Sequence, residues 1–180
     1  KANLSGEENV TIAKNAKVDF PRRLGYSAAG IVEATGSEVQ SVKEGDRVIV
    51  SWGRHCSRVL IGEENIHKVE SKHIATEDAS MLLIGTFPLA AIRKCRLEIG
   101  EAAMVMGLGV LGQMAVQLLR IAGAAPVLAV DLVQERRELS LKLGADYALD
   151  SSAPDFAEVV RGLTDGGVHA AIEVTGKGQG

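Results

Sequence analysis

The stretch that most restricts this chain runs from Ala102 to Gly112. A short, wholly apolar segment, Ala102 to Met106, passes straight into Gly107-Leu108-Gly109-Val110-Leu111-Gly112. In this G-x-G-x-x-G spacing each glycine has its own duty: Gly107 permits a tight turn, Gly109 lets the backbone approach a pyrophosphate, and Gly112 brings helix and strand close. The N–H groups from Gly109 to Leu111, Val110 among them, would then meet phosphates with the positive end of a helix dipole. Such a motif carries weight only in context. The context is met by the preceding strand, by a following helix with Leu111, Ala115, Leu118 and Leu119 at helical spacing, and by an acidic residue, Asp131, about 20 positions on. A dinucleotide site is expected, a generic Gly-rich turn in an α/β protein being the plainer alternative.

The rest of the second half alternates strand and helix. Val127 to Val130 reads as a second strand and Gln134 to Leu143 as a charged helix stopped by Gly144. Tyr147 to Leu149 is a third strand, a helix opened by Ser152 and Pro154 runs to about Leu163, and Val168 to Val174 is a fourth strand. Strands apolar on both faces and alternating with helices call for a parallel sheet with right-handed crossovers.

Before residue 95 the texture differs. Short β-type runs, Gly30 to Thr35, Arg47 to Val50, Ser57 to Ile61 and Asn65 to Val69, are separated by turn residues such as Gly36-Ser37 and Glu44-Gly45-Asp46. Thr76 can cap a helix with Glu77 and Asp78 in its first turn, and Pro88 suits the first turn of a second helix. A division into residues 1–95 and 96–180 follows, a small β-domain before an α/β domain.

The Asp131 carboxylate can accept from both ribose hydroxyls and would repel a 2′-phosphate, which favours NAD over NADP; the alternative is an Asp capping the helix near Gln134. Arg136 and Arg137 read mainly as solvated helix charges, although an Arg near the ribose can accommodate a 2′-phosphate. A net charge of −3, with no long basic block, gives no reason to expect nucleic acid or a membrane surface as partner. No apolar run reaches the roughly 20 residues of a bilayer span, and with no secretory leader visible a cytoplasmic location is expected. Two cysteines, Cys56 and Cys95, exclude a four-thiolate zinc site and read as plain core residues. A start at Lys1 rather than Met, and an end in Gly176-Lys177-Gly178-Gln179-Gly180, suggest a piece of a longer chain.

Leu24-Gly25-Tyr26-Ser27-Ala28-Ala29-Gly30-Ile31-Val32, Gly45-Asp46-Arg47-Val48, the Gly-rich turn, Val130-Asp131 and Leu143-Gly144-Ala145-Asp146 together resemble the medium-chain dehydrogenase/reductase family. The resemblance implies a truncated GroES-like β-domain followed by a truncated Rossmann-type doubly wound parallel sheet, with nicotinamide between them. It implies an oxidoreductase moving hydride between NAD and a small alcohol or carbonyl compound. A complete member would continue past Gly180 with further sheet strands, so the 180-residue chain alone is expected to be inactive and the full-length protein a homo-oligomer.

The departures from the family matter as much. Zinc members read Gly-His-Glu where this chain reads Gly25-Tyr26-Ser27, and their third ligand falls around Leu82-Leu83-Ile84, which has no donor. The four-cysteine lobe is missing, as Val50 leads to Ser51-Trp52-Gly53. No zinc is therefore expected, since a catalytic site needs about three protein ligands. A carbonyl oxygen receiving hydride must then be stabilised by a hydrogen bond or a general acid. By resemblance Tyr26 is the first candidate, with Ser27 and His55 behind it; the alternatives are a buried aromatic filling the space of the metal and a surface histidine. Thr86 matches a family threonine at the nicotinamide end, and Thr175 and Gly176 match the strand end lining the coenzyme ribose. A non-catalytic dinucleotide-binding module stays open as a second class. A methyltransferase with the same kind of turn would leave the first half unexplained.

Overall fold

A computed structural model describes residues 25–176. The first part is a three-stranded antiparallel sheet of β1 (Ser27–Ile31), β2 (Arg47–Ser51) and β3 (Ile66–Lys68), in that order. Gly30 stands opposite Val48, and Val48 opposite Lys68. Its core is small: Val42, Val48 and Val50 are buried, with Ala28, Val32, Val39, Ile61 and Ile66 packed around them. β1 lies three residues earlier than the expected Gly30 to Thr35 run. The reason is its partner: β2 begins at Arg47, and Gly45 at φ 84° turns the chain so that Gly45 N–H bonds the Val32 carbonyl at 2.9 Å, which ends the ladder. The Ser57 to Ile61 run forms no strand; Ile61 packs on the core while Leu60 is fully exposed.

The chain then enters α1 (Thr76–Ala79) and α2 (Leu82–Cys95). Two expectations change here. Ala75, not Thr76, is the N-cap, and no side chain caps α1. Pro88 lies in the interior of α2 and is buried, not in its first turn. A proline there removes one helical hydrogen bond. Tertiary packing overrides that cost, since α2 lies along the helix after β4 and sends Ile92 into the second core with Ala91 and Cys95.

The second part is a parallel sheet of β4 (Ala103–Met106), β5 (Val127–Val130), β6 (Tyr147–Leu149) and β7 (Ala170–Glu173), ordered β6-β5-β4-β7. Its helices are α3 (Val110–Ile121), α4 (Gln134–Lys142) and α5 (Phe156–Leu163). Val105, Val127 and Ala129 of the sheet and Ala115, Val116 and Leu119 of α3 are wholly buried against one another. Each large apolar side chain so covered contributes about 1.5–3 kcal/mol relative to exposure. α5 starts later than Ser152 suggests because Asp150 Oδ1 takes the Ser152 N–H at 2.9 Å and its hydroxyl at 2.6 Å, closing a separate turn. The chain walks from β4 outward to β6 and returns to β7 on the other side of β4. The order of winding therefore reverses beside β4, where doubly wound sheets bind ligands at the strands' carboxyl ends.

Candidate functional site

The Gly-rich turn lies at that reversal, between the end of β4 and the start of α3. Gly107 has φ 91°, and a Cβ there would stand 2.8 Å from the Thr175 nitrogen at the end of β7. A Cβ on Gly112 would overlap the Gly107 carbonyl oxygen and stand 2.9 Å from the carbonyl carbon. Gly109 is the opposite case: it is the N-cap of α3, and a Cβ there would meet nothing within 4 Å. Two glycines are thus demanded by the protein itself, while Gly109 faces open space. No side chain caps α3, so the N–H groups of Val110 and Leu111 in its first turn are offered to a ligand. This is the shape a pyrophosphate requires, and the residues fit a dinucleotide.

Asp131, at the end of β5, is held against this turn. Its Oδ2 accepts the Leu108 N–H at 2.7 Å and lies 3.5 Å from Arg136 Nη1, and its Oδ1 accepts the Val133 N–H at 2.8 Å. Burial pushes the carboxyl up, but the N–H groups of Leu108 and Val133 and the Arg136 charge outweigh it and hold the group below the ordinary carboxylate value. The bond to Val133, two residues on, makes an Asx turn leading into α4; the N-cap of that helix is Val133. Three of the carboxylate's roughly four lone-pair sites are engaged, which leaves room on Oδ1 for one further donor such as a ribose hydroxyl.

Neither arginine is a merely solvated helix charge. Arg136 pairs with Asp131, and Arg137 Nη1 donates to the Asp131 carbonyl at 2.7 Å and reaches Asp150 Oδ2 at 3.3 Å, tying α4 to the ends of β5 and β6. A buried network not anticipated from sequence continues inward. Gln113 Nε2 donates to the carbonyls of Leu108 (3.3 Å) and Arg136 (2.9 Å), and the wholly buried Ser140 hydroxyl lies 2.9 Å from Gln113 Oε1. The only hint was a glutamine directly after Gly112 on the inner face of α3. At the end of β7, Thr175 passes over Gly107, with its N–H and hydroxyl both directed to Glu173 Oε1 at a 2.6 Å backbone contact, and Gly176 follows at φ 67°.

The candidates in the first sheet gather at its other end. Tyr26 precedes β1 and is 43% exposed, so it is not a buried filler; its ring is 6.3 Å from that of Trp52, tilted by 42°. The two are joined by Trp52 N–H to the Tyr26 carbonyl at 2.8 Å. His55 is exposed and lies against Gly25, where a Cβ would stand 2.6 Å from the His55 nitrogen. The Ser27 hydroxyl is turned the other way, donating to the Ser80 carbonyl after α1. Thr86, in the second turn of α2, donates to the Leu83 carbonyl at 2.6 Å. It lines an apolar groove of about 690 Å³ with Ile49, Leu82, Met114 and Leu118, which none of Gly107 to Gly112 lines. Cys95 is partly buried in the second core as expected, but Cys56 is exposed, in a loop rather than a core strand, its thiol on the Arg58 carbonyl at 2.9 Å.

A metal fits poorly. Tyr26 offers a phenol, Ser27 an engaged hydroxyl, and Leu82-Leu83-Ile84 form the first turn of α2 without a donor. Among the described residues no three His, Cys, Asp or Glu side chains converge. No helix among them is long and apolar enough to cross a membrane.

Comparison with known proteins places the two parts in order. Residues 4–88 match the model of the alcohol dehydrogenase GroES-like domain, and residues 110–180 that of the zinc-binding dehydrogenase domain. An NAD-dependent alcohol dehydrogenase of Sulfurisphaera tokodaii is 28% identical over 92% of this chain and 57% of its own length. The (R,R)-butanediol dehydrogenase of Bacillus subtilis is 28% identical over 87% of this chain and 52% of its own. The crystal structure of an alcohol dehydrogenase zinc-binding domain protein from Burkholderia ambifaria superposes with a TM-score of 0.77 at 29% identity, covering 89% of this chain and 57% of that one. The chain spans about half the length of the curated relatives it matches.

Proposed function

The chain belongs to the medium-chain, zinc-binding alcohol dehydrogenase family, and from that premise we propose that the full-length protein is an NAD-dependent oxidoreductase acting on a small alcohol or carbonyl compound without a catalytic metal. The observation that carries the nucleotide half is the Gly-rich turn, closed by necessity at Gly107 and Gly112 and open at Gly109. In this reading residues 1–95 form the catalytic part and residues 96–180 the coenzyme part, with α2 joining them.

When bound, NAD supplies the hydride acceptor or donor at its nicotinamide. The chain's own residues do the rest. Gly109, Val110 and Leu111 hold the pyrophosphate at the start of α3. Asp131 takes a ribose hydroxyl on Oδ1 and disfavours a 2′-phosphate, an effect that Arg136 tempers. Thr175 and Gly176 border the Gly-rich turn and would line the ribose on that side, whereas Thr86 lies in a groove that the turn does not line. The Tyr26 hydroxyl would hold the proton shared with the substrate oxygen, His55, packed against the neighbouring Gly25, would be a second proton carrier, and Ser27 docks the start of β1 on Ser80.

The experiment is to follow absorbance at 340 nm with NAD and a panel of alcohols and polyols. Reduction of NAD by any of them supports the reading. Tight NAD binding without turnover across the panel would favour the second reading, a non-catalytic dinucleotide module, for which the poor donor set at Tyr26-Ser27 is the motivating observation.

A further inference from the structure

Directly after Gly112, α3 buries an amide. Gln113 is 8% exposed, and its side chain is directed into the protein. Its Nε2 donates to the Leu108 carbonyl at 3.3 Å and to the Arg136 carbonyl at 2.9 Å, and its Oε1 accepts from the Ser140 hydroxyl at 2.9 Å. Carbonyl oxygens can only accept, so they fix which end of the amide is nitrogen, and the hydroxyl proton then goes to Oε1. No buried side-chain nitrogen or oxygen among the described residues is left without a partner. An apolar side chain of the same length would fill this space without the cost of desolvating an amide, so the network needs a reason beyond packing.

The bond to Leu108 supplies one. The Leu108–Gly109 peptide is trans, so its C=O and N–H point to opposite sides. Drawing the Leu108 carbonyl inward onto Gln113 therefore turns the Gly109 N–H outward, at the N-cap of α3, where a Cβ would meet nothing. The preceding peptide is pinned as well, since the Leu108 N–H donates to Asp131 Oδ2. Without Gln113 the Leu108–Gly109 peptide is free to reverse: reversal drives the following residue to positive φ, which a glycine tolerates and other residues resist. Reversed, it would present the Leu108 carbonyl oxygen to the phosphates in place of the Gly109 N–H, exchanging attraction for repulsion. We propose that Gln113 is a positioning residue for the coenzyme, one that locks this peptide with its N–H toward the pyrophosphate without itself touching the ligand. This rests on the reading of the Gly-rich turn as a dinucleotide site and not on hydride transfer. Through the Arg136 carbonyl the same amide holds the first turn of α4, whose Arg136 side chain pairs with Asp131, so one group braces the phosphate and ribose ends together. Such preorganisation raises affinity by removing a cost of binding, not by adding a contact.

The test uses full-length protein, with adenosine, ADP and ADP-ribose displacing NADH, whose nicotinamide fluorescence reports its release. Gln113→Met keeps the length of the side chain and removes both donors. Relative to wild type it should bind ADP and ADP-ribose about 10-fold more weakly, while adenosine changes by less than about 2-fold. Ser140→Ala removes the partner of Oε1 and leaves both donor bonds in place; it should lower the melting temperature and keep the wild-type ratio of ADP to adenosine affinity. Nitrogen-15 relaxation dispersion on the Gly109 amide of coenzyme-free wild type needs no variant, and a single orientation without exchange is expected. Equal losses for adenosine and ADP in Gln113→Met, undiminished ADP affinity in that variant, or microsecond-to-millisecond exchange at Gly109 in coenzyme-free wild type would overturn the proposal while leaving the dinucleotide reading in place. A wild type that binds neither NADH nor ADP would overturn the dinucleotide reading and the proposal with it.

Discussion

The Asp131 carboxylate accepts the backbone N–H of Leu108 at 2.7 Å, so the residue proposed to meet a ribose also anchors the turn proposed to hold the phosphates. Leu108 is itself 1% exposed and its carbonyl is taken by Gln113, which fixes the turn from the inside. Asp131→Ala leaves the Leu108 and Val133 N–H groups without their acceptor. The coenzyme-free protein should lose about 1–3 kcal/mol of stability, read as a lower denaturant midpoint. An unchanged midpoint would mean that the contact carries no weight in the fold.

The same bonds set a pH dependence. The Asp131 carboxyl is held below the ordinary carboxylate value in the folded protein, so ionisation favours the folded state. That contribution is complete above the ordinary carboxylate value of about 3.9 and is lost as pH falls through the lower folded value. Between pH 7 and pH 5 the difference in stability between wild type and Asp131→Asn should therefore stay constant, and it should shrink below about pH 4. A difference that vanishes already between pH 6 and pH 5 would contradict the depressed value.

The three glycines should behave differently. Gly109→Ala meets no neighbour at φ −71°, so the protein should fold with its stability within about 1 kcal/mol of wild type while NAD affinity falls about 10-fold or more. Gly112→Ala collides with the Gly107 carbonyl and should cost about 1–3 kcal/mol or more. Paired thermal melts and coenzyme titrations separate the two, and a Gly109→Ala protein with wild-type coenzyme affinity would remove the pyrophosphate from this turn.

Tyr26→Phe keeps the ring beside Trp52 and deletes the hydroxyl. If that hydroxyl shares its proton with the substrate, kcat should fall about 10²-fold or more with coenzyme affinity unchanged. Steady-state kinetics on full-length protein decides it, and undiminished turnover would return Tyr26 to a surface role.

What could be read from the residues follows the strength of local rules. β5 and β6 are located to the residue because Val127–Val130 is apolar throughout and Tyr147–Leu149 is bounded by Gly144 and Asp150. The duties of Gly107 and Gly112 were legible because they are backbone geometry. Pro88 was misplaced because burial of Ile92 against α3 is a tertiary gain that no local signal announces. Ser57 to Ile61 has strand-like residues but pairs with no strand among the described residues, and pairing is non-local. The same limit hid the arginines: that Arg137 reaches the Asp131 carbonyl depends on where α4 crosses the ends of β5 and β6.

Hydride transfer to NAD without a catalytic metal is the activity proposed for the full-length protein. Its most direct test is the initial rate of NADH formation at 340 nm by full-length protein with its best alcohol or polyol, before and after exhaustive dialysis against a strong chelator, with the metal content of each sample determined. The same rate is expected in both samples, with far less than one zinc per chain. A rate that disappears on chelation and returns when one equivalent of zinc is added back would contradict it.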